Sequence, residues 1–149
     1  MEQATHTRHN GDFNWDGVPV LKYKEEGSHF HKITRQVLYA GDAELPCELR
    51  YFEIAAEGYS TLERHQHHHV VMILRGTGEA LVNERIVPVA LHDVLHITPG
   101  TWHQLRANQG TTLGFICLVA CERDRPERPD ADELARLRHA PAVAAFIRL

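Results

Sequence analysis

Twelve histidines are many for 149 residues, and four of them lie within HQHHH at positions 65–69. Histidine is the commonest metal-ligating side chain, so the first question is whether these rings form a site. The surrounding stretch runs from Gly58 through Glu63, His65 and His69 to Gly76. Glu63 and His65 are two apart, so on a strand both side chains leave the same face. A tight turn through 66–68 would return His69 at the start of the next strand. Much later, Thr98-Pro99-Gly100-Thr101-Trp102-His103 sets another histidine just after a Pro-Gly turn. A β fold that closes on itself can bring Glu63, His65, His69 and His103 to one point. A second register is open: on an uninterrupted strand His67 would share the face of His65 and His69, giving an all-imidazole set with His103. His68 has the opposite parity and should face solvent.

Three imidazoles and one carboxylate suit one divalent transition metal per chain, Mn, Fe, Ni or Zn, and argue against an oxygen cage for Mg or Ca. Such a site would keep a charge of about +1 and attract an anionic or chelating small molecule; open positions on the ion would let it act as a Lewis acid or activate water.

The elements that must position these residues are mostly short strands. Val18–Tyr23, Phe30–Tyr39, Glu48–Ala55, Val70–Leu74, Glu79–Val82, Ile86–Val89, Val94–Ile97 and Thr111–Val119 are bounded by turn residues. Val70–Leu74 is continuously apolar and reads as a strand buried on both faces; Pro88 marks an edge strand or a strand end. Tyr51, Phe52 and Met72 read as core. After Cys121 the texture changes: Glu122–Arg128 is a charged connector, Asp130 or Asp132 can cap a helix through 131–140, and Pro141 separates a second short helix. This gives an all-β single domain with three parts: a flexible arm over 1–17, a β-barrel over 18–121, and a connector with C-terminal helices over 122–149.

Charge limits the partners. Sixteen Lys+Arg against twenty Asp+Glu give −4, so no basic excess points to nucleic acid. No apolar run reaches the roughly 18 residues of a membrane span, and the first residues lack a signal-peptide layout, so a cytoplasmic location is expected. Three cysteines without a CxxC pair suggest neither a disulfide framework nor a thiolate zinc site. His96 and Cys117 could reach the site as an acid/base or redox partner, though surface and packing roles respectively are the simpler readings.

The two histidine-bearing stretches resemble the paired motifs of the cupin superfamily, G-x5-H-x-H-x3,4-E-x6-G and G-x5-P-x-G-x2-H-x3-N. Anchored on Gly76, the first motif's carboxylate position falls on His69 and its ligand pair on Glu63 and His65; the second motif's histidine falls on His103. Glu63 thus stands where the family usually has His, and His69 where it usually has Glu. The order Glu-x-His-x3-His is similar to ureidoglycine aminohydrolase-type cupins, which are manganese-dependent, although their fourth ligand is a glutamine. His92, Thr98 and Asn108 depart from the second motif, and Gly58 is one residue out of place in the first. The resemblance covers about residues 45–120. It implies a small, single-domain jelly-roll barrel with metal at Glu63, His65, His69 and His103, and a homodimer built through Val18–Tyr39. The function it implies is a metal-dependent enzyme, a dioxygenase, isomerase or hydrolase, acting on a small organic molecule, anionic ones included. The alternative is a non-catalytic ligand-binding or sensor cupin. No catalytic residue can be named from the sequence.

Overall fold

The computed structural model describes residues 4–149. It contains eleven strands: β1 (His9–Gly11), β2 (Asn14–Trp15), β3 (Leu21–Lys22), β4 (His31–Tyr39), β5 (Cys47–Tyr59), β6 (His69–Arg75), β7 (Gly78–Val82), β8 (Arg85–Val89), β9 (Val94–Ile97), β10 (His103–Ala107) and β11 (Leu113–Ala120). Two helices follow, α1 (Ala131–Leu137) and α2 (Pro141–Phe146). β1 and β2 form a small hairpin, and the other strands form one curled antiparallel sheet ordered β8-β7-β10-β5-β11-β6-β9, with β4 also on β5 and β3 on β4. The expected all-β barrel with a short helical tail is what the chain forms.

β5 makes the curl. Its first eight residues pair with β11, Cys47 against Ala120 through Ile54 against Leu113, while its last residue, Tyr59, pairs with Arg106 on β10. One strand therefore serves both halves of the barrel. The apolar residues of both halves meet in one core of Ile54, Val71, Ile73, Ala80, Ile97, Leu105, Leu113 and Phe115 with their neighbours. Phe52 stacks on Phe115 with ring centroids 5.4 Å apart. A second cluster, Leu62 and Leu81 with Leu137, Val143, Phe146 and Ile147, seals the helices to the barrel. Asp130 caps α1 in a full capping box with Glu133, and Pro141 starts α2 rather than ending α1.

The sequence reading needs correction at β6 and missed β10. Val70–Leu74 is not buried on both faces: Val70 and Met72 are 40% and 39% exposed, and with Val94 and Leu118 they give the sheet an apolar outer face. Met72 is therefore not core. β10 alternates only over Gln104–Ala107 and went unread, because its buried Gln104 is satisfied by polar partners, Ser60 O and the backbone of Arg148. Within the N-terminal segment, Phe13 stacks on Tyr51 at 5.3 Å, and its carbonyl accepts from Gln36 Nε2.

Candidate metal centre

β5 runs out at Tyr59, and the chain crosses the barrel mouth through Ser60–Arg64, all but Arg64 buried. Glu63 bridges His103 at the start of β10, so these two residues lie side by side. A bend at 66–67 then feeds His69 into β6. The histidine-rich stretch is thus a strand end, a bend and a strand start. His65, His69 and His103 come together, with one nitrogen from each ring lying within 4.8 Å of the others.

The backbone fixes which nitrogens face inward. His65 Nδ1 is 2.8 Å from the carbonyl of His67, and His103 Nδ1 is 2.9 Å from the carbonyl of Thr101. A carbonyl only accepts, so each Nδ1 carries the proton and each Nε2 keeps its lone pair free. The Nε2 of His65 is buried and has no hydrogen-bond partner, and His65 is only 2% exposed. A buried acceptor with nothing to accept from is costly unless a ligand fills the place. Three imidazoles with a nitrogen each turned to one point can hold a transition-metal ion, and the carbonyl contacts of His65 and His103 are the usual support for such ligands.

Glu63 is buried at 6% exposure and faces the same cavity. Its carboxylate accepts a 2.5 Å charge-assisted bond from Lys24 Nζ. His67 stacks on His65, centroids 3.7 Å apart, and its Nε2 lies 3.2 Å from His69 Nε2. Its other nitrogen donates to Asp124 at 2.7 Å. Asp124 also accepts from the backbone amides of Gln66 and His67, which pulls its pKa down to about 2. The connector expected to be a mere solvated link therefore pins the ligand bend, and Arg64 pairs with Glu127 from the same segment.

Other residues fall on either side of the expectations. His68 and His96 are exposed and bond each other at 2.9 Å outside the barrel. Trp102 packs under Arg64 in the second cluster. The cavity itself is about 360 Å³, and Lys24, Arg35, Arg50 and Arg123 bring positive charge to it. Arg50 and Lys24 carried no signal that could have found them, since nothing local distinguishes a strand cation facing inward from one facing out.

Burial pushes the pKa of all three clustered histidines down, and crowding by the other rings lowers His65 and His69 further. His65 is pushed from 6.5 to about 4. Between those values the unfolded chain binds a proton that the folded chain refuses, so stability is complete above about pH 6.5 and is lost as the pH falls toward 4. His65 alone would contribute about 3 kcal/mol. The melting temperature of metal-free protein should be level from neutral pH upward and fall steadily below about pH 6.5, more shallowly in His65→Gln. A profile with no such difference between the two proteins would mean that His65 is not held neutral.

The Cupin domain family matches residues 50–119. A Rhodospirillum rubrum protein named 1-methylthio-D-xylulose 5-phosphate methylsulfurylase is 52% identical over 136 residues, 91% of this chain and 86% of its own. The chain is a cupin. Among solved structures, this cupin resembles a cupin 2 conserved barrel domain protein from Rhodopseudomonas palustris, with 49% identity, a TM-score of 0.92, and coverage of 97% of this chain and 100% of the other. A cupin 2 domain-containing protein from Halorhodospira halophila is 42% identical with a TM-score of 0.75, and 99% of each chain is covered.

Proposed function

We propose that this cupin is a metal-dependent enzyme that removes the methylthio group from 1-methylthio-D-xylulose 5-phosphate or a close analogue. The observation that carries the reading is the cavity: a cluster of three imidazoles and a set of arginines line one space. The metal ligands in this reading are His65, His69 and His103, with Glu63 as the single carboxylate. A bound divalent ion would supply Lewis acidity toward a substrate oxygen. The chain's own residues do the rest. Lys24 holds Glu63, the Thr101 and His67 carbonyls hold the rings, and the arginines offer donors to the phosphate. The name of the Rhodospirillum rubrum relative supports the substrate class, since a phosphorylated 2-ketose has both an anion and a chelating carbonyl–hydroxyl pair.

The test is to strip the protein of metal and reload it separately with Mn, Fe, Ni or Zn. Each form is then given 1-methylthio-D-xylulose 5-phosphate and a small thiol, and the products are followed by NMR. Replacement of the substrate's S-methyl signal by that of a methyl disulfide with at least one metal, and none without metal, is expected. A substrate that binds and stays intact with every metal would overturn the enzyme reading in favour of a ligand-binding cupin.

A further inference from the structure

Three arginines and one carboxylate line the cavity together: Arg35 on β4, Glu48 and Arg50 on β5, and Arg123 from the connector. The ladders place them. Arg50 pairs with Val37 and Phe52 with Arg35 across β4 and β5, and paired residues share a face. Arg35 and Arg50 therefore start one strand apart, about 4.8 Å, and two residues along, about 6.6 Å. Glu48 is two residues from Arg50 on β5, so it leaves the same face. Glu48 pairs with Val119, and Cys117 pairs with Val71 on β6, which sets His69 in line with Val119 and Glu48. Glu48 thus begins about two strand spacings, roughly 10 Å, from His69, and Arg50 one step beyond it.

Little of what these guanidiniums can donate is used. Arg35 Nε donates to the Lys22 carbonyl at 3.0 Å, and its terminal nitrogens make no hydrogen bond among the described residues. Arg50 lies over the Phe52 ring, its guanidinium carbon 5.0 Å from the centroid. Its Nε is buried without a hydrogen-bond partner, and its Nη2 meets the sulfur of Cys117 at 3.7 Å. Arg123 Nη1 donates to the Ala120 carbonyl at 2.7 Å and to Glu48 Oε2 at 3.1 Å. Glu48 lies 3.9 Å from Arg50 Nε, beyond hydrogen-bond reach, so it offsets one charge without satisfying that donor. Three cations against one carboxylate leave an excess of two positive charges in one space. A phosphomonoester matches both counts: it carries about −1.5 to −2 at pH 7 and offers three acceptor oxygens to forked N–H donors. A carboxylate ligand would supply fewer of each.

We propose that Arg35, Arg50 and Arg123 form a phosphomonoester subsite on the β4–β5 wall, and that Glu48 is the internal anion which the phosphate displaces. The inference deepens the proposed function and rests on it for the sugar that carries the phosphate. The Glu48 side chain is 24% exposed, so it can swing to water when a stronger anion arrives. Until then it keeps Arg50 and Arg123 from repelling each other across the empty subsite. Displacement also makes Glu48 a selectivity device. A monovalent anion gains little over the carboxylate already in place, whereas a phosphate brings a second charge and the acceptor that Arg50 Nε lacks. A ligand seated this way lays its phosphate on β4 and β5 and turns its other end toward the imidazole cluster.

The probe is inorganic phosphate, titrated by calorimetry into metal-free protein in a zwitterionic buffer, so that an ion at the imidazoles adds nothing to the signal. One phosphate per chain is expected, with a Kd of roughly 1 mM or tighter. Arg35→Met and Arg123→Met should each weaken binding about tenfold or more, as expected when a charge-assisted contact is lost. Glu48→Gln should tighten it severalfold, because the resident anion is gone and the shape is kept. Arg85→Met, on the exposed end of β8 away from the cavity, should change nothing. With metal-loaded protein, 1-methylthio-D-xylulose 5-phosphate and a thiol, the Arg35 and Arg123 variants should raise KM by a similar factor and keep kcat within a few-fold, and inorganic phosphate should compete with the substrate. A wild type that binds no phosphate up to about 10 mM, or binding that the arginine variants leave unchanged, would overturn the subsite. Weaker binding by Glu48→Gln than by wild type would overturn the displacement. All of these leave the proposed function standing. A wild type that binds phosphate as expected yet yields no product with any metal would instead remove that function and leave the subsite in place for another phosphomonoester. The wild-type titration needs no variant and Glu48→Gln is isosteric, so an arginine variant that failed to fold would not block the test.

Discussion

His103→Ala is expected to empty the metal site and cut turnover roughly a thousandfold or more while leaving the barrel folded. Losing a group that merely supports a ligand costs about 10–100-fold in affinity or activity, and losing the ligand itself should cost more. His103 heads β10, which is secured by five paired positions with β7 that do not depend on the ring. The ring is 4% exposed and burial already disfavours its charge, so its removal leaves a small cavity and no unpaired charge. The Thr101 carbonyl loses its donor, a loss of about 1 kcal/mol. Metal content by plasma mass spectrometry, turnover and melting temperature would be read together. Metal retained at the wild-type level would show that the cluster is not the site.

Two companions to that variant separate the ligand registers. Glu63→Ala should lose metal together with His69→Ala, and His67→Ala should keep it, because His65, His69 and His103 bring their nitrogens within 4.8 Å of one another without it. If His67→Ala loses the metal and Glu63→Ala does not, the set is all imidazole. Glu63→Ala also frees Lys24, which is 28% exposed at its side chain and can turn to water. Its effect on stability should therefore be small beside its effect on metal.

What could be read in the sequence was what spacing encodes locally. The two-residue step from Glu63 to His65, the turn before His69 and the Pro-Gly before His103 all survive as geometry, because each is set within a few residues. The burial of a strand's second face is not local: Val70 and Met72 are as apolar as Val71 and Ile73, yet β6 meets its core from one side only. β10 was hidden for the converse reason. Its Gln104 is fully buried and looks like a surface residue until Ser60 and Arg148, both 44 residues away, satisfy it. The Asp124 contact to the ligand bend spans 57 residues and sits in a segment whose composition is that of a solvated link. Arg50 and Cys117 meet across 67 residues. Side chains brought together by strand pairing leave no trace in periodicity, and those are the ones that complete the cavity.

Gly76→Ala should be the most damaging single methyl that could be added to the barrel, with a stability loss of about 3–5 kcal/mol. Gly76 closes the first histidine motif, directly after β6, and has φ +69°, a left-handed conformation that penalises any Cβ by about 1 kcal/mol. The larger part is collision: a Cβ there would sit 1.9 Å from the Thr112 carbonyl oxygen, which is backbone and cannot swing away. Thr112 leads into β11, where Leu113 is fully buried and Gly114 pairs with Arg75. Relief would have to pry the end of β6 from β11, the ladder that also aligns Val71 with Cys117. A fall in melting temperature of roughly 10–20 °C is expected for a chain of this size. Gly100→Ala separates the two causes. Gly100 has φ +74° with nothing within 4 Å of its would-be Cβ, so it carries the conformational cost alone and should lose only a few degrees. Equal losses in the two variants, read by calorimetry under the same conditions, would mean that the Thr112 collision relaxes at no cost and that the motif glycine is there for its backbone angle only.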